Sequence, residues 1–255
     1  MSHHSNRGTT MHVFVTGGTG TIGTAVVTEL LAHGHTVVGL ARSDASAALL
    51  ETAGAGILRG SLTDLDVLRS GAAAADGVIN LAFSRDYSSA DGLERGLVEE
   101  RGAMETLGDA LIGTGKPLVA VSGTPWVPGR LSTEVDPLPT DGPVGSRAVA
   151  VSTLLALSAQ GVRASVVRMP RTVHENGRGG FAGLLTDAAR RSGTAGYPGD
   201  GTQRWPAVHA RDAATLFRPR TAAARRRPGA ASSRRSSSGV PRPCRRGSRR
   251  RRRSP

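Results

Sequence analysis

The chain has 255 residues, 33 Lys plus Arg against 20 Asp plus Glu, a formal charge of +13, 3% aromatics and a single Cys. That length accommodates one large domain or two small ones. The lone Cys244 excludes an intrachain disulfide and both the four-Cys and the two-Cys, two-His zinc patterns. No apolar run reaches the ~18–20 residues of a membrane span, and the N-terminal MSHHSNRGTT offers no signal-peptide core, so a soluble, cytoplasmic protein is expected.

Residues 1–10 are polar and are set aside as a disordered leader. From Met11 onward, short β-rich runs alternate with stretches of helical period. His12-Val13-Phe14-Val15-Thr16 reads as a buried strand. After a glycine-rich turn, Ile22, Ala25, Val26 and Leu30 form one apolar face of a helix that Gly34 terminates. Thr36 to Ala41 is a second strand and Ala45 to Thr52 a short helix; Gly56-Ile57-Leu58 is a third strand, and Leu62 to Ala74 a helical stretch. A fourth strand covers Gly77 to Ala82, a longer helix 91–113, and a fifth strand Pro117 to Ser122. A helix over 146–160, stopped by Gly161, precedes a sixth strand, Ala164 to Arg168. Strands buried on both faces and separated by helices indicate a doubly wound α/β domain with a parallel sheet, of the Rossmann type, over residues 11–217.

The strongest chemical signal is Thr16-Gly17-Gly18-Thr19-Gly20-Thr21-Ile22-Gly23 between the first strand and the first helix. Glycines there permit a tight turn, close approach of the backbone to a pyrophosphate and packing of helix on strand. The helix N-terminus supplies N–H groups and positive potential. The strand–turn–helix context is the one such a motif needs. About ~20 residues on, where an acidic residue would bind a ribose 2′-hydroxyl, stands Ala41-Arg42-Ser43. A guanidinium there pairs with a 2′-phosphate, so NADP(H) is favoured over NAD(H). The competing reading makes Arg42 a solvated charge and leaves the ribose to Asp44.

Further motifs follow in order: Asn80-Leu81-Ala82 after the fourth strand, Val121-Ser122-Gly123-Thr124 after the fifth, and Val167-Arg168-Met169-Pro170 after the sixth. Gly199-Asp200-Gly201, Arg204-Trp205-Pro206-Ala207-Val208-His209 and Asp212 complete the set. Together with TGGTGTIG they resemble the short-chain dehydrogenase/reductase superfamily, in its extended and atypical NAD(P)-dependent epimerase/dehydratase-like branch. The resemblance implies that Gly17, Thr19, Gly20, Thr21, Ile22 and Gly23 hold the pyrophosphate and that Arg42 and Ser43 meet the adenosine ribose. It places Gly60-Ser61-Leu62 past the adenine, Leu81, Ala82 and Phe83 along the nicotinamide ribose, and Pro170 beside the nicotinamide. Leu62 and Leu81 read equally well as core packing.

The resemblance also exposes a departure. The family's Tyr-x-x-x-Lys pair, on the helix after the fifth strand, is replaced by Pro143-Val144-Gly145-Ser146-Arg147. Proline transfers no proton. Arg147 remains able to bind ribose or phosphate, but an arginine stays charged and is a poor proton relay. Thr124 occupies the family's hydroxyl position. Tyr87 and His174 are the candidates for a relocated acid or base, with His209 a third; each lone His also has a structural reading. Oxidoreductase or epimerase-like chemistry on a small carbonyl or hydroxyl substrate is therefore expected, with a dinucleotide-binding protein or sensor without turnover as the alternative. Arg204 suits an anionic substrate or a surface ion pair. His33 and His35 read as polar turn residues.

Residues 218–255 hold fifteen Arg and no acid, leaving 18 basic and 20 acidic side chains in residues 1–217. With no aromatic, Leu, Ile or Met, this stretch is expected to be disordered. It binds nucleic acid through counterion release if it is genuine protein sequence. The preferred reading is a frameshift near Phe217: 32 of the 33 basic residues are Arg, as in GC-rich genes, and the break cuts a helix mid-face, truncating the substrate-binding portion.

Overall fold

The computed structural model describes residues 10–83, 86, 89–142, 145–176, 179–197 and 199–218. Residues 1–9 of the leader, Tyr87, Pro143 and the tail from 219 onward lie outside the described residues. In chain order the elements are β1 (His12–Thr16), α1 (Thr21–Ala32), β2 (Thr36–Ala41), α2 (Asp44–Thr52), β3 (Gly56–Arg59), α3 (Leu65–Ala74), β4 (Gly77–Asn80) and α4 (Ala90–Asp109). β5 (Pro117–Gly123), α5 (Ser146–Ala156), β6 (Arg163–Met169), β7 (Thr172–His174), α6 (Gly180–Ser192), β8 (Ala207–His209) and α7 (Ala210–Ala214) follow.

Six strands form the parallel sheet that the alternating pattern predicts, and their order is β3-β2-β1-β4-β5-β6. Val13 aligns with Val37 of β2 on one side and Gly77 of β4 on the other. The order reverses between β1 and β4, and a crevice opens at the carboxyl ends of strands on either side of such a reversal. Alternate residues of each strand feed opposite layers. Val13, Val15, Ile79, Val119 and Val167 pack with α1, α2 and α7. Phe14, Val78, Leu118 and Ala120 pack with α3, α4 and α5.

Several boundaries differ from the sequence reading, each for a local reason. α3 starts at Leu65 rather than Leu62 because the Asp64 carboxylate accepts from the N–H and hydroxyl of Ser61, winding 61–64 into a turn. β4 ends at Asn80 because its partner β1 gives way to the glycine turn after Thr16. α4 ends at Asp109, before a turn containing Gly113 and Gly115, both at positive φ. The last residues of the expected 146–160 helix, Leu157–Gln160, tighten into a 3-10 turn. His35 is buried and accepts from the Met11 N–H, so it is a core-edge residue and not a polar turn residue.

The short parallel ladder β7-β8 and helix α6 have no counterpart in the sequence reading. Each strand has three residues, too few to show a period, whereas α6 carries an apolar face of Phe181, Leu184, Leu185 and Ala188 that the sequence reading missed. α7 packs on α1, and Phe217 is fully buried in the first core layer. Among the described residues no helix is long and apolar enough to cross a membrane.

Candidate functional site

The glycine turn and the start of α1 lie at the crevice. Gly17 has φ +68°, and a Cβ on it would stand 2.7 Å from the Ala82 nitrogen, so only glycine fits. The Gly20 N–H donates to the Gly17 carbonyl at 3.1 Å, closing the turn. α1 then begins with no side-chain cap and no acidic residue in its first turn. Its leading N–H groups and the positive end of its dipole therefore face the crevice without an internal acceptor, the arrangement that holds an anion. Thr16 fixes the facing wall: its hydroxyl donates to the buried Asn80 side-chain oxygen and accepts from the Ala82 N–H at 3.3 Å. Thr19, Thr21 and Ile22 are half-buried along the turn, and Ile22 leans on the first core layer.

At the end of β2, Arg42 is exposed and has no partner among the described residues. Asp44, the competing ribose ligand, is held by Arg59 at 2.7 Å. Ser43 serves as N-cap of α2 in a capping box with Ser46. Across β3, Ser61 is engaged by Asp64, whose carboxyl those hydrogen bonds hold below its ordinary value. Leu62 packs against the second core layer, and Leu81 against the first.

Arg147, on the first turn of α5, donates through Nε and one terminal nitrogen to both oxygens of Glu100, at 2.7 and 2.6 Å. Its guanidinium lies 4.7 Å from the centre of the Phe83 ring. Glu100 is almost wholly buried on α4; burial pushes its carboxyl up, and the hydrogen bonds and charge of Arg147 pull it down. The sequence reading missed Glu100. Its signal was a carboxylate on the apolar face of α4, three residues after Leu97 and three before Ala103. Arg147 thus meets Phe83 on one side and is anchored by Glu100 on the other.

The Thr124 N–H donates to the Met169 carbonyl at 3.0 Å, tying the end of β5 to the end of β6 just before Pro170. Its side chain is exposed and has no hydrogen-bond partner among the described residues. His174 ends β7 and meets His209 edge-on, with ring centres 5.6 Å apart. The His209 Nδ1 accepts from the Arg211 N–H, so the neutral ring carries its proton on Nε2. Glu175 accepts from Arg211 at 3.2 Å. This ladder borders the glycine turn, because a Cβ on Gly179 would meet the Val173 carbonyl at 2.8 Å and the Thr21 methyl at 2.9 Å. Among the described residues no group of three or more His, Cys, Asp or Glu is placed to hold a metal.

Residues 13–226 match the NAD dependent epimerase/dehydratase family. An uncharacterized protein of Schizosaccharomyces pombe is 42% identical over 209 residues, covering 81% of this chain and 69% of its own. One of Saccharomyces cerevisiae is 41% identical over 211 residues, covering 82% and 70%. Among solved structures, the UDP-glucose 4-epimerase of Thermus thermophilus in complex with NAD superposes with a TM-score of 0.68 at 22% identity, over 83% of this chain and 74% of that one.

Proposed function

Since the chain belongs to the NAD dependent epimerase/dehydratase family, we propose that it is an NADP(H)-dependent oxidoreductase or epimerase-like enzyme acting on a small carbonyl or hydroxyl substrate. The observation that carries this reading is the uncapped N-terminus of α1, after a turn walled by Leu81 and Ala82, with Arg42 at the end of β2 unpartnered among the described residues. The Thermus epimerase of the same fold binds NAD, which supports a nicotinamide dinucleotide in the crevice. The preference for NADP(H) rests on Arg42 having no partner among the described residues while Asp44 is occupied by Arg59.

Bound there, a nicotinamide dinucleotide supplies hydride transfer. The chain's own groups do the rest. Backbone N–H groups of the turn bind the pyrophosphate, and Arg147 holds Phe83 and a positive potential at the ribose side. Thr124, whose side chain is exposed, is the proposed hydrogen-bond donor to a substrate oxygen. His174, at the end of β7, is the proposed proton carrier, because neither Pro143 nor Arg147 can fill that role. The same two replacements favour a second reading, dinucleotide binding without turnover.

Titrating NADPH and NADH against wild type and Arg42→Ala, by cofactor fluorescence, tests the cofactor assignment. Loss of a charge-assisted phosphate contact weakens NADPH about 10-fold or more and leaves NADH unchanged. Equal weakening of both removes the 2′-phosphate role. NADPH oxidation on a panel of aldehydes and ketones, with Thr124→Val and His174→Gln, separates the two readings: turnover lowered by either change supports the enzyme, and no turnover on any substrate supports the sensor.

A further inference from the structure

Eight arginines of the described chain, Arg59, Arg69, Arg95, Arg130, Arg147, Arg190, Arg211 and Arg218, reach a carboxylate. Arg171 reaches none. Instead its guanidinium lies 6.0 Å from the centre of the Phe181 ring and 5.7 Å from that of Trp205. The two rings meet each other edge-on at 6.2 Å. The acid nearest in sequence, Glu175, is taken by Arg211.

The placement is fixed by backbone. The Phe181 N–H donates to the Arg171 carbonyl at 3.2 Å, which sets one ring against the guanidinium. The Thr172 N–H donates to the Pro206 carbonyl at 3.4 Å, which brings in Trp205, just ahead of β8. A Cβ on Gly180 would meet the Thr172 Cα at 2.8 Å, so the start of α6 is pressed directly onto β7. Gly179, one residue earlier, is packed equally closely on Thr21, the first residue of α1. An arginine held beside aromatic rings and without a carboxylate partner among the described residues keeps N–H donors available, and those are matched by a planar carboxylate or a phosphate.

We infer that Arg171, seated on Phe181 and Trp205, is an anion-binding side chain that recognises a carboxylate or phosphate on the substrate. This rests on the proposed reading of the adjoining turn as the dinucleotide site, and it narrows the substrate class to small anionic carbonyl or hydroxyl compounds. Arg204, exposed beside Trp205, adds positive potential and makes no ring contact.

The chain has two Trp, so Trp126→Phe leaves Trp205 as the only indole, in contact with the group under test. The full chain carrying that change is titrated with inorganic phosphate and, separately, with oxalate, at constant ionic strength and with chloride as control. A saturable change in Trp205 emission is expected with at least one anion, its identity telling a phosphate substrate from a carboxylate one. Arg171→Gln weakens that binding at least about tenfold, and Arg171→Lys, which keeps charge but loses the planar fork, weakens it less. No saturable response in the unsubstituted-Arg171 protein overturns the inference. So does an Arg171→Gln titration matching it, or a loss confined to Arg204→Gln. NADPH titration of the same Arg171 protein reads the dinucleotide site independently: absent NADPH binding with a saturable anion response sinks the proposed function and leaves the anion site standing.

Discussion

Replacing Arg147 with Met leaves the Glu100 carboxylate buried on α4 with no cation. The side chains of Glu100 and Arg147 are 3% and 25% exposed, and their two hydrogen bonds are bidentate. Removing one partner of such a pair costs about 3–5 kcal/mol because the remaining charge is uncompensated. Loss of the contact with Phe83 adds about 1 kcal/mol. Together these come to about 4–6 kcal/mol, and at about 2–4 °C per kcal/mol for a domain of this size the melting temperature at pH 8 falls by roughly 8–24 °C.

The cost depends on pH. Burial raises the Glu100 carboxyl above its ordinary 4.5, and Arg147 pulls it back. With a raised carboxyl the folded chain holds a proton that the unfolded chain has released, so stability declines as pH rises from the unfolded value through the folded one. Without Arg147 the folded value moves further up. The gap between wild type and Arg147→Met is therefore smallest below about 4.5 and widens through neutrality. The Glu100→Gln, Arg147→Met double variant carries no buried charge and recovers most of the loss. Urea unfolding at pH 4, 6 and 8, followed by circular dichroism, reads all three proteins. A gap independent of pH, or a double variant no more stable than the single one, refutes the reasoning.

Gly17→Ala forces a left-handed backbone on alanine and a Cβ to 2.7 Å from the Ala82 nitrogen; a loss of about 2–4 kcal/mol and of NADPH binding is expected in thermal melts and cofactor titration. Asp136 is held well below the usual carboxylate range, first by the Arg130 hydrogen bond and then by the Thr133 N–H. Its stabilising contribution is complete above the ordinary Asp value of 3.8 and is lost as acid takes the pH below it, so Asp136→Asn melts lower than wild type at pH 7 and the difference closes in acid scans. Deleting residues 219–255 leaves NADPH affinity unchanged in the same titration and abolishes any salt-sensitive binding to single-stranded RNA in a mobility-shift assay.

The sheet was legible because its strands are continuous apolar runs and its helices carry a clear period; Val13 to Val15 and Ile22 to Leu30 leave no alternative. The glycine turn was legible because its chemistry is local. The region after Met169 was not. β7, β8 and α6 are held by backbone pairing and ring contacts among Arg171, Phe181 and Trp205, and contacts between residues 171 and 205 leave no trace in local periodicity. Glu100 lay hidden for the opposite reason: a single carboxylate in a helical stretch reads as solvated until the helix face it shares with Met104 and Leu107 is seen to be buried. The expectation that Arg147 meets a ribose gained a neighbour that only three dimensions supply.

β1 sits inside the sheet although it precedes the other five strands of that sheet in the chain. One of its edges is covered by β2 within about thirty residues, but the other waits for β4, and the His12 N–H finds its Asp76 carboxylate only across 64 positions of chain. Until then the nascent strand carries an open, apolar edge able to pair with the wrong partner. The first helix waits longer still: its outer apolar face is sealed by α7 and Phe217, and Glu29 meets Arg218 across 189 positions. β1 and α1 are thus enclosed by contacts of long sequence separation, the kind of topology whose loop closures must come before the contacts that stabilise them.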